Sequence, residues 1–321
     1  MTLSQSGGTY GLSFREVSKT YGGSRLRPAL ENFSLEVTPG EIVGMVGLNG
    51  AGKTTALRIA AGLTSASSGK VFVRGHDVAL EKVRASSQLG FVPEYPYFES
   101  DVGSLKLLQY FAGYHDIHGN PAIQQCRDLL VKVGLEGQET ARLRTFSQGM
   151  KKRFSLAAAL IGSPAVLLLD EIVNGLDPEG VYFVRQLLLD LRREKKAILL
   201  SSHVLSELQD TADRFAIVHR GRLVKLFSRD ALRKVGPLPL RITLSNFDQQ
   251  AVDLISSYGR VSVEENRIWV YDLKVDPGEL SAALGRSNYR IIDLRIEEPS
   301  LEHVFLELVR EKDSNPKKEV K

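Results

Sequence analysis

The sequence predicts an α/β fold: a mostly parallel sheet packed with helices, an antiparallel β subdomain, a helical insert, and a smaller α+β unit at the end. Three observations carry that prediction. A glycine-rich loop, Gly47 to Thr55, sits between an apolar strand and a helix. Two further apolar runs, Ala165 to Leu169 and Ala197 to Leu200, each end in polar residues. Strands that are apolar throughout are buried on both faces, as in parallel sheets covered by helices. The pattern then breaks at Gly236-Pro237-Leu238-Pro239, which reads as a linker, and a β-α-β-β-α-β alternation follows.

At 321 residues the chain is long enough for two domains with cores of their own. The formal charge of +4 is mild, and lysine and arginine are scattered along solvated faces, so nucleic acid is not an expected partner. The one cysteine, Cys126, excludes an internal disulfide and points to a reducing compartment. No apolar run reaches the length that spans a bilayer. The segment Met1 to Tyr10 is polar and glycine-rich, unlike a signal peptide. The expected location is the cytoplasm, with any membrane role falling to a separate chain.

Taken in order, Leu12 to Lys19 alternates as an antiparallel strand and Tyr21-Gly22-Gly23 turns the chain. Phe33 to Val37 is a second such strand, and Ile42 to Val46 a buried one. Ala56 to Ala61 reads as a helix, Gly69 to Arg74 as a strand, and Gly90 to Pro93 as a short strand ending at Glu94. From Ser104 to about Ser163 the periodicity is helical, with Leu105, Leu108, Tyr110 and Phe111 on one side. Pro178 opens a helix at its first turn. Ser201-Ser202-His203 leads from a strand into a helix through Leu208. Arg214 to Val218 and Leu223 to Phe227 form a hairpin around Arg220-Gly221.

In the second unit, strands at Leu240–Leu244, Arg260–Glu264, Arg267–Tyr271 and Tyr289–Ile296 alternate with helices at Gln249–Tyr258 and Pro277–Leu284. That is the order of a ferredoxin-like unit. A last helix, Leu301 to Arg310, is expected to start from Ser300 as N-cap. The expected domains are 1–235, with the helical insert at about 98–163, then 238–310, then a charged, disordered tail at 311–321.

The chemistry starts at Gly47-Leu48-Asn49-Gly50-Ala51-Gly52-Lys53-Thr54-Thr55, which spells the phosphate loop G-x-x-x-x-G-K-[ST] in a strand–loop–helix context. Glycines let successive N–H groups curl around a phosphate, and the following helix presents its positive end to it. Lys53 is placed to neutralise the β- and γ-phosphates, and the Thr54 hydroxyl to hold Mg²⁺. Phosphoryl transfer also needs a further metal contact, a group that activates water, and one that steadies the γ-phosphate. Asp170, at a strand end, suits the metal, Glu171 the water, and His203 the γ-phosphate. Lys53, Glu94, Asp170 and His203 all follow strand ends, where ligands of such sheets lie. A separate segment, Ser147-Gln148-Gly149-Met150-Lys151-Lys152-Arg153, opens a helix with a serine cap and a basic first turn. Basic residues there oppose the helix dipole, which makes sense if that end meets a phosphate. It lies far from the chain's own phosphate loop, which suggests a dimer.

From about Leu12 to Val235 the chain resembles the nucleotide-binding subunit of ATP-binding cassette (ABC) transporters. Gly47 to Thr54 is similar to the Walker A motif and Ala165 to Asp170 to Walker B, with Glu171 as the catalytic carboxylate. The resemblance assigns Tyr21 to stacking on adenine, Glu94 to the Q-loop position, Asn174-Gly175-Leu176-Asp177 to the D-loop, and His203 to the switch histidine. Ser147-Gln148-Gly149-Met150 looks like the signature motif, with Gln148 where glycine is commonest and Met150 where glutamine is common. Glu94 also departs from the pattern and adds negative charge near the phosphates. These features, with Glu298-Pro299-Ser300-Leu301-Glu302-His303-Val304-Phe305-Leu306, resemble the type-2 exporter subgroup. The resemblance implies an ATPase that holds ATP with Mg²⁺ between two head-to-tail subunits, in a homodimer or heterodimer, and drives export through a separate membrane permease at the inner face of the membrane. A soluble ABC protein acting on ribosomes or nucleic acid is the alternative, although such proteins usually carry two cassettes in one chain.

Overall fold

The structure, a computed structural model, describes residues 10–22, 28–232, 239–264, 267–297, 301–302, 304–305 and 308. The chain divides into two compact units, with the boundary between Phe227 and Ser228. This lies before the expected 235. The Ser228 hydroxyl accepts from Ala231 N and starts a helical turn that goes with the second unit. Apart from Pro239, the expected linker lies outside the described residues, as do Ser300, His303 and the tail 311–321.

The first unit begins with β1 (Leu12–Lys19), β2 (Leu30–Val37), β3 (Ile42–Val46), α1 (Lys53–Ala60), β4 (Ser68–Val73), β5 (His76–Asp77), α2 (Lys82–Ser87) and β6 (Leu89–Val92). The helical insert contains α3 (Ser104–Gly113), α4 (Gly119–Lys132), a 3-10 turn (Leu143–Thr145) and α5 (Gln148–Leu160). Then come β7 (Val166–Asp170), α6 (Pro178–Arg193), β8 (Ala197–Ser202), α7 (Leu205–Thr211), β9 (Arg214–His219) and β10 (Arg222–Ser228).

One sheet, in the order β2-β1-β4-β5, is antiparallel. Its alternating residues turn Leu12, Phe14, Phe33 and Leu35 into a core, with Phe14 and Phe33 edge to face. The second sheet runs β10-β9-β3-β8-β7-β6 and is parallel from β9 to β6. Every residue of β3, β7 and β8 is buried. These are the continuous apolar runs of the sequence, and their carboxyl ends all open toward one edge.

Three local expectations are corrected. Helix α1 starts at Lys53 rather than Ala56, because left-handed Gly52 hands the loop directly to the helix. The short β5 and helix α2, both too brief for a periodic signal, were not expected. On α3 the buried side carries Leu107, Leu108 and Ala112, whereas Tyr110 faces outward. Its hydroxyl meets that of Tyr114 one turn on, and the two rings pack edge to face, so the pair is satisfied at the surface.

In the second unit, α8 (Arg229–Leu232) precedes β11 (Leu240–Leu244), α9 (Gln249–Ser256), β12 (Arg260–Glu264), β13 (Arg267–Tyr271), α10 (Pro277–Arg286) and β14 (Ile291–Ile296). From β11 on, the order of elements is β-α-β-β-α-β, and the antiparallel sheet runs β12-β13-β11-β14. Leu240, Ile242, Leu244, Ile268 and Val270 form its core with Ile255 of α9 and Leu280 of α10.

The central strands set the stability of the first unit. Leu168→Ala, at a fully buried position of β7, is expected to lower the unfolding free energy by about 2–5 kcal/mol. Urea denaturation followed by circular dichroism checks this, and an unchanged midpoint contradicts it.

Candidate active site

The loop between β3 and α1 is shaped by its glycines. Gly50 and Gly52 have φ of 79° and 110°, in the left-handed region. A Cβ on Gly52 would lie 2.5 Å from the Ala29 carbonyl oxygen, and one on Gly47 would lie 2.4 Å from that of Val218. Side chains are therefore excluded at both positions. The loop residues 48–55 border a cleft of about 640 Å³, closed by Ala29, Glu94, Tyr95, Glu171, Asn174 and His203. That volume lies within the range of small-molecule sites. The first N–H groups of α1 are unpaired within the helix and bring its positive dipole end to the cleft.

The charged groups of the cleft meet at one carboxylate. Asp170 is the last residue of β7, and Glu171 follows it with a φ of 50°, outside the strand. The two side chains part here through the left-handed backbone, not through strand alternation. Glu171 Oε2 lies 2.7 Å from His203 Nδ1 and also accepts the His203 N–H. Its Oε1 is 3.9 Å from Lys53 Nζ, which donates to the Gly47 carbonyl at 2.6 Å. Burial pulls the Lys53 pKa below the usual lysine range, and the negative charges of Glu171, Asp170 and Glu94 work against that shift. Asp170 is buried and does not line the cleft; it accepts from the Ser201 hydroxyl, and its charge reaches Lys53. Glu94 lines the cleft, and its carboxylate beside the Tyr95 hydroxyl raises the pKa of that tyrosine.

The structure thus gathers Leu48, Asn49, Gly50, Ala51, Gly52, Lys53, Thr54, Thr55, Glu94, Glu171 and His203 around one cleft. It does not bring the other candidates there. Tyr21 is exposed and carries the Lys19 ammonium over its ring at 5.0 Å. Asp177 caps α6 by accepting from Gly180 N. Ser147 caps α5 by accepting from Met150 N, and it is exposed together with Gln148, while Gly149 is half-buried; none of the three lines the cleft.

The basic turn that follows needs a correction. Lys152 does not point to a phosphate. It is buried, and its ammonium donates to the carbonyls of Glu171 and Asn174. Arg153 donates to the Gly134 carbonyl and lies over the Phe183 ring.

Sequence reasoning missed Ser201, Tyr95 and Ala29, and it named Asn174 only as part of the D-loop, not as a cleft residue. Ser201 is the register partner of Asp170 across β7 and β8, which only the strand pairing reveals. Lys152 had a weaker signal. It shares a face of α5 with buried Ser155 and Leu156, three and four residues on.

A parallel sheet, a phosphate loop at its carboxyl edge, and a carboxylate tied to a lysine and a histidine define a P-loop nucleoside triphosphatase. Comparison with known proteins takes the assignment further. The ABC transporter family model matches residues 30–174. The ABC transporter ATP-binding protein YcbN of Bacillus subtilis (strain 168) is 30% identical over 305 residues, covering 94% of this chain and 97% of the relative. The bacitracin transport ATP-binding protein BcrA of Bacillus licheniformis is 30% identical over 298 residues, covering 92% and 95%. Among solved structures, a dimeric post-hydrolysis state of the ATP-binding cassette MJ0796 with ADP and Pi superposes with a TM-score of 0.63. That match is 21% identical and covers 68% of this chain and 98% of the other. The chain belongs to the ATP-binding proteins of ABC transporters, and its enzymatic activity is ATP hydrolysis. Among the described residues no helix is long and apolar enough to cross a membrane.

Gly52→Ala places a methyl group against the Ala29 carbonyl at a left-handed position. It is expected to weaken ATP binding at least about tenfold, a loss of roughly 1.4 kcal/mol or more. A fluorescent nucleotide titration reads this, and wild-type affinity contradicts it.

Proposed function

We propose that this chain is the motor of an exporter. Two copies, or one copy and a related chain, close head to tail on ATP at the inner face of the membrane and work a separate permease there. The observation that carries the reading is the position of Ser147 and Gly149. They end α5 outside the cleft, while the cleft of the same chain holds the phosphate loop, Glu171 and His203. A second copy would bring the missing wall. The dimeric cassette and the transport role named for BcrA support this.

In this reading the loop N–H groups and Lys53 bind the β- and γ-phosphates. Tyr21 stacks on adenine, and Asp177 lies at the seam between subunits. Thr54 and Glu94 at the cleft and the buried Asp170 carry hard oxygen donors suited to Mg²⁺. The ion, when bound, neutralises charge on the β- and γ-phosphate oxygens. Glu171 takes the proton of the attacking water, and His203, bonded to it, orients that carboxylate and steadies the γ-phosphate. Ser147 and Gly149 of the partner copy donate to the γ-phosphate from the opposite side. Cleavage separates the γ-phosphate from ADP, its release takes away the charge that holds the two surfaces, and the dimer opens. The proposed ATP-binding domain is 1–235. The unit at 238–310, ferredoxin-like in its order, supports the dimer or regulates it.

Glu171→Gln removes the base and keeps the shape. It is expected to slow turnover by about 10²- to 10⁴-fold and to accumulate as an ATP-bound dimer in size-exclusion chromatography with light scattering. A Glu171→Gln chain that stays monomeric at saturating ATP and Mg²⁺ contradicts the proposal. Chelation with EDTA is expected to abolish phosphate release, and Mg²⁺ to restore it. Turnover that persists in EDTA removes the assigned metal role.

A further inference from the structure

Lys152 performs none of the functions assigned above, yet its position is costly. It is the fifth residue of α5, just past the first turn, toward the end where the helix dipole disfavours positive charge. It is also buried, with 8% of its surface exposed, and an unpaired ammonium is expensive to remove from water. Its partners offset that cost. Nζ donates to the Glu171 carbonyl at 2.7 Å and to the Asn174 carbonyl at 2.6 Å.

Those carbonyls belong to the turn that aims the catalytic carboxylate. Glu171 is a non-glycine residue at φ 50°, a conformation that persists only where its surroundings enforce it. Its N–H is held by the Ser201 carbonyl and hydroxyl. Its C=O is held by Asn174 N and by Lys152. Ser201 and Lys152 therefore pin the residue from its two sides. A second contact joins the same elements: a Cβ on Gly149 would come within 3.3 Å of Leu176 Cδ2, so the first turn of α5 lies against the 171–177 loop.

We propose that Lys152 is a positioning residue, one that fixes the Glu171 backbone to the end of α5 and so couples the Ser147–Gly149 segment to the carboxylate of its own chain. The inference rests on the head-to-tail dimer proposed above. There the α5 end touches the triphosphate bound by the neighbour, while Glu171 of the same chain serves the other site. A shift of α5 on nucleotide binding then reaches Glu171 through one ammonium. Each site senses whether the other is filled.

The test compares wild type, Lys152→Met and Lys152→Arg in steady-state ATP hydrolysis. Lys152→Met keeps length and loses both hydrogen bonds. It is expected to lower kcat about 10- to 100-fold, to leave KM for ATP within about twofold, and to bring the Hill coefficient for ATP to one. Lys152→Arg keeps donors and is expected to restore most of kcat. In a Glu171→Gln background, Lys152→Met is expected to cause no further loss, because it acts through that carboxylate. Lys152→Leu, which also lacks a donor, replaces Lys152→Met if the latter does not fold, with the same kcat-against-KM split expected.

Wild-type kcat and cooperativity in the neutral variants overturn the inference. So does a further loss in the Glu171→Gln background. Failure of the dimer reading looks different: wild type itself shows a Hill coefficient of one, and Glu171→Gln does not dimerise on ATP.

Discussion

Where β7 ends, the chain turns through the left-handed conformation of Glu171, and the rest of the site is hung on that turn. A residue with a side chain pays a strain cost to sit there, and three separate segments hold it. Ser201 of β8 takes its N–H, Lys152 of α5 takes its C=O, and His203 takes its carboxylate. The parallel pairing of β7 with β8 sets the first of these, since it puts Asp170 beside Ser201. The buried apolar runs that make that pairing obligatory thus determine where the carboxylate points. Lys53 adds an ammonium 3.9 Å away, at a separation where attraction inside a protein is a few kcal/mol at an effective dielectric of about 20.

The cleft built this way has one polarity on each side. The loop contributes glycine-spaced N–H groups, the helix end and Lys53. The opposite wall contributes Glu94, Glu171 and His203. A polyphosphate satisfies the first side, and a metal or a water the second. The capped end of α5, with Ser147 exposed, is a third set of donors that its own chain does not use at the cleft. This leftover end is the physical basis for the proposed sandwich. It also explains why a lysine is buried behind it.

Much of this was legible in the sequence because the signals were local. The phosphate loop is contiguous, and the strands β1, β11, β12 and β13 fall at the residues expected from alternation. Carboxyl-edge geometry was enough to expect Lys53, Glu94 and His203 together. What could not be read depends on pairing between distant segments. Ser201 becomes a partner of Asp170 only in the sheet, and Lys152 becomes buried only when α5 docks on the 171–174 turn. A basic turn at a helix start suggests a phosphate when only the helix dipole is weighed; the carbonyls of Glu171 and Asn174 that answer Lys152 come from a distant segment. Tyr110 was misplaced because an aromatic pair at i and i+4 packs equally well on an outer face.

The shared pocket is tested most directly by a structure of the Glu171→Gln chain with ATP and Mg²⁺. The account predicts two copies related head to tail. The Ser147 hydroxyl and Gly149 N–H of one copy would lie within hydrogen-bond distance of the γ-phosphate held by Lys53 of the other. A bound γ-phosphate with no Ser147 near it, from either copy, would contradict it.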